Sequence, residues 1–297
     1  MPADAPHAQL TDTRSLEAGL DALQTDAVAT GRSWSDRLRW SVLPPVVALA
    51  LLVLAWQVLV WAEVKPRYTL PSPLDVATTM GGLLRDGEAL EKVLTSLQRG
   101  VLGFVAAVVI ATPIGVVVAR VRIVRAGLGP LITALQVLPS VAWVPAAVLW
   151  FGISDATLYF VILLGAVPSI INGLVSGVDQ VPPLFRRVGT VLGAGRWQMV
   201  RHVILPAAMP GYFAGLRQGW AFSWRSLMAA ELIAVGGSLD LGVGGLLDQG
   251  RQLADIGVVT CAIVLILVVG ILVELMFFAP VERRILRTRG LGAETTR

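Results

Sequence analysis

Residues 181–206, VPPLFRRVGTVLGAGRWQMVRHVILP, form the longest polar and basic interruption in the second half of a very apolar chain. This basic segment opens near a Pro-Pro pair, ends at Pro206, and carries Gly193-Ala194-Gly195 near its middle. Because prolines mark helix edges and paired glycines interrupt helices, the segment predicts two short helices separated at these glycines. The spacing alone leaves two functions open: a surface that contacts a partner, or an ordinary basic loop on the cytoplasmic side of a membrane.

The composition places the chain among membrane proteins. Only 15% of its 297 residues are charged and 55% are hydrophobic, and the mean hydropathy is +0.73. Soluble domains average about 25% charged residues. The net charge of +4 comes from arginines between apolar stretches, which fits a cytoplasmic membrane face better than a nucleic-acid surface. We therefore expect a lipid bilayer around the chain and no nucleic-acid partner.

The chain lacks the usual residues of a catalytic or metal site. Cys261 is the only cysteine, so no intramolecular disulfide can form, and the histidines His7 and His202 are far apart in sequence. No G-x-x-x-x-G-K-[ST] motif occurs, so we do not expect this chain to hydrolyse a nucleotide. The predicted membrane spans contain no histidine and very few carboxylates, which disfavours an intramembrane enzyme.

Stretches that are poor in charge predict six membrane spans, since about 20 apolar residues cross a bilayer. The third span contains three prolines and is therefore expected to be kinked or partly broken. The fifth is less apolar because it holds Arg217, Arg225 and Glu231. The predicted spans are residues 40–62, 100–119, 126–154, 156–178, 207–235 and 256–278.

The arginines predict the orientation of these spans. They precede the first span, follow the second, fill the basic segment and follow the sixth, whereas the opposite segments carry fewer basic residues, diluted by acids. By the positive-inside rule, both termini and the basic segment are cytoplasmic. We expect a transmembrane domain over residues 34–290, a disordered cytoplasmic tail or one short amphipathic helix over 1–33, and a tail over 291–297.

The second part of the basic segment resembles the cytoplasmic signature of ABC importer permeases. That signature reads Glu-Ala-Ala, three residues, Gly, nine residues, Ile, one residue, Leu-Pro. The spacing is kept here, but the opening Glu-Ala-Ala is replaced. The matching positions are Gly193, Val203, Leu205 and Pro206, and the replaced triplet is Arg187, Val188 and Gly189.

Further stretches resemble the nitrate/sulfonate/taurine branch of these permeases. Together with the basic segment they leave only the N-terminal tail without a counterpart. They are LPSPLDV (70–76), SLQRGVLGF (96–104), LPSVAWVPAAVLWFGI (138–153), VPSIINGLVSGV (167–178), WRSLMAAELI (224–233), LGVGGLLDQGRQL (241–253) and VERRILRTRG (281–290).

The resemblance implies an all-α inner-membrane protein, a type I importer permease with six transmembrane helices and a cytoplasmic coupling helix. It also implies a permease homodimer, a solute-binding protein above it, and ATPase subunits below it that use ATP and Mg²⁺. The chain itself would then bind no cofactor and catalyse no reaction. The coupling residues implied are Arg187, Gly189, Gly193, Gly195, Val203, Leu205 and Pro206.

Polar groups inside the predicted spans are candidates for a translocation pathway. An arginine well inside a span, such as Arg225, is costly and usually faces a cavity or a partner charge, and an anionic substrate would pair with it. The alternative is a structural pair with Glu231 or with a neighbouring subunit, although the two residues lie about 240° apart around a helix. The other candidates, which could equally form hydrogen bonds between helices, are Gln136, Ser140 and Asn172.

The resemblance implies uptake of a small anion, with aliphatic sulfonate, taurine and nitrate as the leading substrates. A neutral pyrimidine-type solute is the alternative, because relatives of this branch carry such cargo. An ion-coupled secondary transporter is a further alternative, in which Glu231 would carry a proton. Glu274 is the only other carboxylate in a predicted span, and no internal repeat is evident, so neither observation favours it.

Overall fold

The computed structural model describes residues 43–66, 68–236, 239 and 242–287, and within these ranges the secondary structure is helical, with turns and short connections but no strand. The chain divides into two units, Met1–Val64 and Lys65–Arg297. The first unit contains helix α1, Leu43–Trp61. The predicted tails over 1–33 and 291–297 lie outside the described residues.

The second unit is an assembly of helices joined by short connections. A 3-10 turn, Ser140–Trp143, precedes α5. Two π-helical turns, Met199–Ile204 and Glu274–Phe278, join α8 to α9 and α11 to α12. The helices are α2 Pro73–Arg85, α3 Glu88–Arg120, α4 Arg122–Val137, α5 Val144–Phe151, α6 Asp155–Asp179, α7 Pro183–Val191, α8 Arg196–Gln198, α9 Leu205–Ile233, α10 Val243–Gln252, α11 Ile256–Val273 and α12 Ala279–Arg287.

In the described ranges, four helical runs are long and apolar enough to cross a membrane: α1, α3, α6 and Ile256–Arg287. The pair formed by α4 and Ser140–Phe151 makes a fifth if it is counted as one span, and it is bent by 92°. This bend confirms the predicted break in the third span. Helix α9, at 29 residues, is long enough to span but is not among these candidates, and it carries the charged residues noted above. The all-α fold is confirmed, whereas the number of six spans stays a prediction.

Helix α3 begins earlier than the predicted second span. It starts at Glu88 rather than at residue 100, after Gly87, whose φ of 77° lies in the left-handed region. Glu88 and Glu91 lie in its first turn, where negative charge is favourable near the helix N-terminus. The polar beginning of the helix was excluded from the predicted span because hydropathy alone does not show that Ser96 and Arg99 are buried.

Helix α6 packs backbone to backbone against α9, and glycines form the contact. A Cβ atom on Gly215 of α9 would lie 2.6 Å from the Cα of Gly173, and one on Gly211 would lie 2.5 Å from the Cα of Gly177. Gly173 and Gly177 are four residues apart on α6, and Gly211 and Gly215 are four residues apart on α9. The two glycines of each helix therefore lie on one face of that helix. Small residues at such positions let the backbones of membrane helices approach closely.

Aromatic side chains fill the space on another side of α9. Trp220 and Trp224 stack with ring centroids 6.2 Å apart, and Phe104 of α3 meets Trp220 edge-on at 5.5 Å. Phe278, at the end of the second π turn, packs against Phe213 at 5.8 Å. Helix α9 therefore contacts α3, α6 and the C-terminal helical run, and it is the central helix of the unit.

The glycine contact predicts opposite effects for two Gly→Ala substitutions. Gly215→Ala should lower the thermal unfolding temperature of the purified protein in detergent, because its new methyl group meets the backbone of α6 rather than a movable side chain. Gly127→Ala in α4 is the matched control, since a Cβ there has no neighbour within 4 Å. Alanine is favoured over glycine in a helix by about 1 kcal/mol, so the control should be neutral or stabilising. An unchanged or raised unfolding temperature for Gly215→Ala would contradict the packing described.

Candidate functional site

The basic segment folds into two helical parts separated at the predicted glycines. Helix α7 ends at Val191, and Gly193 reverses the chain with a φ of 76°. The Gly195 N–H then donates to the Gln198 side-chain Oε1 at 2.9 Å, which caps the next helix. The predicted break at Gly193-Ala194-Gly195 is confirmed.

The second helical part does not end at Pro206, which corrects the sequence-based boundary. The chain runs from α8 through the π turn directly into α9, and Pro206 is the second residue of α9. The π turn just before Pro206 replaces the α-helical hydrogen-bond pattern, and such a local adjustment accommodates a proline within a helical run. The second helical part of the basic segment is therefore continuous with the central helix of the unit.

One glycine of the segment fits its two helical parts together. Gly189 is buried, and a Cβ atom there would lie 2.8 Å from the Met199 Cε and 3.5 Å from the Val203 Cγ2. Helix α7 thus packs on the π turn through this position. The structure brings Gly189 and Val203 together, while Gly193 and Gly195 lie exposed at the turn between them.

The outer surface of the basic segment combines exposed apolar side chains with arginines. Trp197, for example, is 69% exposed. An exposed apolar patch marks an interaction site in many proteins, and arginines bind carboxylates in two-pronged pairs. The exposed apolar residues are Leu184, Phe185, Val188, Val191, Leu192, Trp197 and Leu205, and the exposed arginines are Arg186, Arg187, Arg196 and Arg201.

Glu231 lies in a buried cluster near the other end of α9. It is 4% exposed, and its Oε1 accepts a hydrogen bond from the Arg99 guanidinium at 3.4 Å. Its Oε2 accepts from the Ser96 hydroxyl at 2.7 Å and from the Gly244 N–H at 3.1 Å. Arg99 also donates to Asp155 at 2.8 Å. This Glu231 cluster (Ser96, Arg99, Asp155, Glu231 and Gly244) joins α3, α6, α9 and α10.

Arg225 is exposed on α9 and does not pair with Glu231. Its guanidinium carbon lies 4.8 Å from the centre of the Phe222 ring, and its Nε donates to the Ala221 carbonyl at 3.1 Å. Glu231 faces inward to Arg99 instead. The two residues point to different sides of the helix, as their separation of about 240° predicts.

The remaining pathway candidates form hydrogen bonds between elements. The Asn172 amide of α6 donates to the Gln136 Oε1 of α4 at 2.6 Å. The hydroxyl of Ser140, in the turn before α5, lies 2.6 Å from the hydroxyl of Ser226 on α9. These contacts match the structural alternative, and a pathway role for the three residues stays a prediction.

The sequence interpretation missed Ser96, Arg99 and Asp155 as members of a polar cluster. Their one local signal is that Ser96 and Arg99 are three residues apart, which places them on one face of a helix. Asp155 comes from the start of α6 and has no such signal. In the described part of the chain, no three His, Cys, Asp or Glu residues are placed to hold a metal ion.

The comparison with known families decides the identity of the chain. Residues 111–287, from the second half of α3 to the end of α12, match the family of binding-protein-dependent transport system inner membrane components. The chain belongs to this family. It is a type I ABC importer permease, a multi-pass inner-membrane transport subunit, and the predicted family is confirmed.

Relatives of this permease are similar over most of its length. It is 30% identical to the taurine transport system permease protein TauC of Escherichia coli over 252 residues, 81% of this chain and 90% of the relative. It is 30% identical to the nitrate import permease protein NrtB of Synechocystis sp. over 242 residues, 78% and 86% respectively. The bicarbonate transport system permease protein CmpB of Synechococcus elongatus is 30% identical over 269 residues, 86% and 93%.

The contacts in the Glu231 cluster predict that substitutions of Arg99 and of Glu231 lower the stability of the protein by different amounts. Arg99→Met should lower the unfolding temperature of this permease most, because it leaves the Glu231 carboxylate buried without the arginine that faces it. Glu231→Gln should cost less, since Arg99 keeps Asp155. Losing one partner of a buried pair costs about 3–5 kcal/mol, and the double variant should recover part of that loss.

Arg225→Met is the matched control, because Arg225 is an exposed arginine on the same helix as Glu231. It should leave the unfolding temperature nearly unchanged. Strictly additive effects of Arg99→Met and Glu231→Gln would show that the two side chains do not interact.

Proposed function

We propose that this permease imports a small anion, an aliphatic sulfonate such as taurine, or nitrate, as a homodimer. In this proposal a solute-binding protein delivers the anion, and separate ATPase subunits dock on the basic segment and drive alternating access. The observation that carries the proposal is the continuity of the basic segment with α9. The second helical part of the basic segment, which carries the exposed Trp197 and Arg201, forms one helical run with α9.

This continuity gives a physical route for coupling. Gly189 packs on the Met199 and Val203 side chains of the π turn, so a displacement of α7 toward the turn would push on the start of α9. Helix α9 in turn meets α6 backbone to backbone, which lets the two helices move together. Displacement of the basic segment by closing ATPase subunits would therefore move the centre of the unit.

The proposed substrate class rests on the relatives and on Arg225. The relatives are named for taurine, nitrate and bicarbonate, which share a small anionic group: nitrate and bicarbonate are anions, and taurine is a zwitterion that carries a sulfonate. Arg225 presents an exposed guanidinium on α9, and no carboxylate among the described residues forms an ion pair with it. We propose that it attracts the anion in the pathway, where the opposite charge offsets the cost of a cation at membrane depth.

The pairing of the span carboxylates disfavours the ion-coupled alternative. Glu231 binds Arg99, and Glu274 binds Arg217 at 2.6 Å. Each of the two carboxylates thus has an arginine of the same chain as its ion-pair partner. These pairs leave coupling to an ATPase as the better supported source of energy.

A charge reversal tests the docking surface. Arg187 stands where the family has an acidic residue, so we propose that the partner ATPase presents an acidic or neutral surface there. Arg187→Glu should weaken association with the cognate ATPase by about tenfold, equivalent to about 1.4 kcal/mol. The measurement is ATPase activity of the reconstituted complex as its subunits are titrated. Arg122→Glu, an exposed arginine outside the basic segment, is the control. Unchanged coupling in Arg187→Glu would refute the proposed contact.

A transport assay tests the substrate and Arg225 together. Proteoliposomes with the full complex should import taurine or nitrate, and the cognate binding protein should bind the same anion in preference to uracil. Arg225→Ala should reduce uptake at least tenfold while the complex still assembles. Gln218→Ala, an exposed polar residue on the same helix, is the control. Loss of assembly in Arg225→Ala would assign Arg225 a structural role. Selective binding of uracil by the binding protein would contradict the proposal that the substrate is an anion.

A further inference from the structure

A cavity of about 340 Å³ lies where the basic segment meets the membrane helices. Helix α3 contributes Thr112 and Val116 to its wall, α6 contributes Leu174, and the π turn contributes Val200 and Ile204. Cavities of about 300–1,000 Å³ are typical of small-molecule sites. No function discussed above uses this space.

The charge of the cavity lining has one sign. Arg120, at the end of α3, and Arg186, in α7, both line it, and both are exposed. No aspartate or glutamate is among the described residues of the lining. The cavity therefore offers two guanidinium groups to an anion without a competing carboxylate.

The inner part of the lining is mainly apolar. Thr112 and Arg120 are eight residues apart on α3, which places them about 12 Å apart along the helix axis. Between them lie Val116 and Ala119. The hydroxyls of Thr112 and Tyr212 are 2.6 Å apart and satisfy each other. The lining thus combines the two arginines with an apolar part that runs along α3, on which Thr112 and Arg120 are about 12 Å apart.

We propose that this cavity binds an anion that carries an apolar chain. The anionic group lies at Arg120 and Arg186, and the chain lies along Val116 and Leu174. The ligand is either a free alkyl anion or the headgroup and acyl chain of an anionic lipid, which share this chemistry. Because the walls come from both the basic segment and α3, a bound molecule holds the two against each other.

Binding to the purified permease in phosphatidylcholine nanodiscs tests the proposal. The probes are 1-octanesulfonate, followed by calorimetry, and phosphatidylglycerol doped into the nanodisc, followed by its retention in native mass spectrometry. Arg120→Gln combined with Arg186→Gln should weaken binding at least tenfold. Ala119→Phe, which fills the cavity, should abolish it.

Matched controls come from the same part of the chain. Arg122→Gln removes an exposed arginine next to the end of α3, and Val117→Phe adds a ring to an exposed position of α3 outside the lining. Neither should change binding. Because the charge variants alter exposed side chains, they keep the test decisive even if Ala119→Phe fails to fold.

The two probes distinguish the source of the ligand. Binding of 1-octanesulfonate that depends on the cavity residues supports a free alkyl anion, and retention of phosphatidylglycerol alone with the same dependence supports a lipid. Equal binding of both probes by the wild type and the cavity variants would overturn the proposal. Neither the ATPase nor uptake of an anion enters this test, and the expected binding depends on the cavity residues rather than on Arg225, so its failure would leave the proposed transport function intact.

Discussion

The backbone contact between α6 and α9 is the constraint on which the rest of the second unit depends. Gly173 and Gly177 meet Gly215 and Gly211 with no space for a methyl group. Helices surrounded by lipid gain little from burying apolar side chains against each other, so close packing and polar contacts must hold them together. The glycines supply the close packing and fix how deeply α9 lies against its neighbour.

With α9 fixed in this way, its two ends take different roles. Its 29 residues extend about 43 Å, comparable to the thickness of a bilayer with its headgroups. One end continues into the exposed basic segment, and the other ends in the buried Glu231 cluster. Arg217, between them, binds Glu274 and Glu282 of the C-terminal run. These ion pairs link α9 to the C-terminal run, so a displacement of α9 at its exposed end would also act on that run.

Local rules predicted those features that depend on neighbouring residues. The break at Gly193 follows from the freedom of glycine to adopt positive φ, and the bend beside Pro139 from the restricted backbone of proline. The same rules failed at Pro206, because the π turn before it accommodates the proline within a continuous helical run. They also failed at the start of α3. Hydropathy began the predicted span at residue 100, whereas the helix includes the polar residues before it, of which Ser96 and Arg99 are buried.

The sequence by itself determined the membrane class, the broken third span, the two-part basic segment and the family, because composition, proline, glycine and motif spacing are local properties. Only the tertiary structure decided the partner of Glu231, since Arg99 lies 132 residues away and no spacing rule connects them. The existence of the cavity that Arg120 and Arg186 line was likewise visible only in the tertiary structure. Its walls come from four helices, and their approach depends on glycine contacts whose partners a single sequence does not identify.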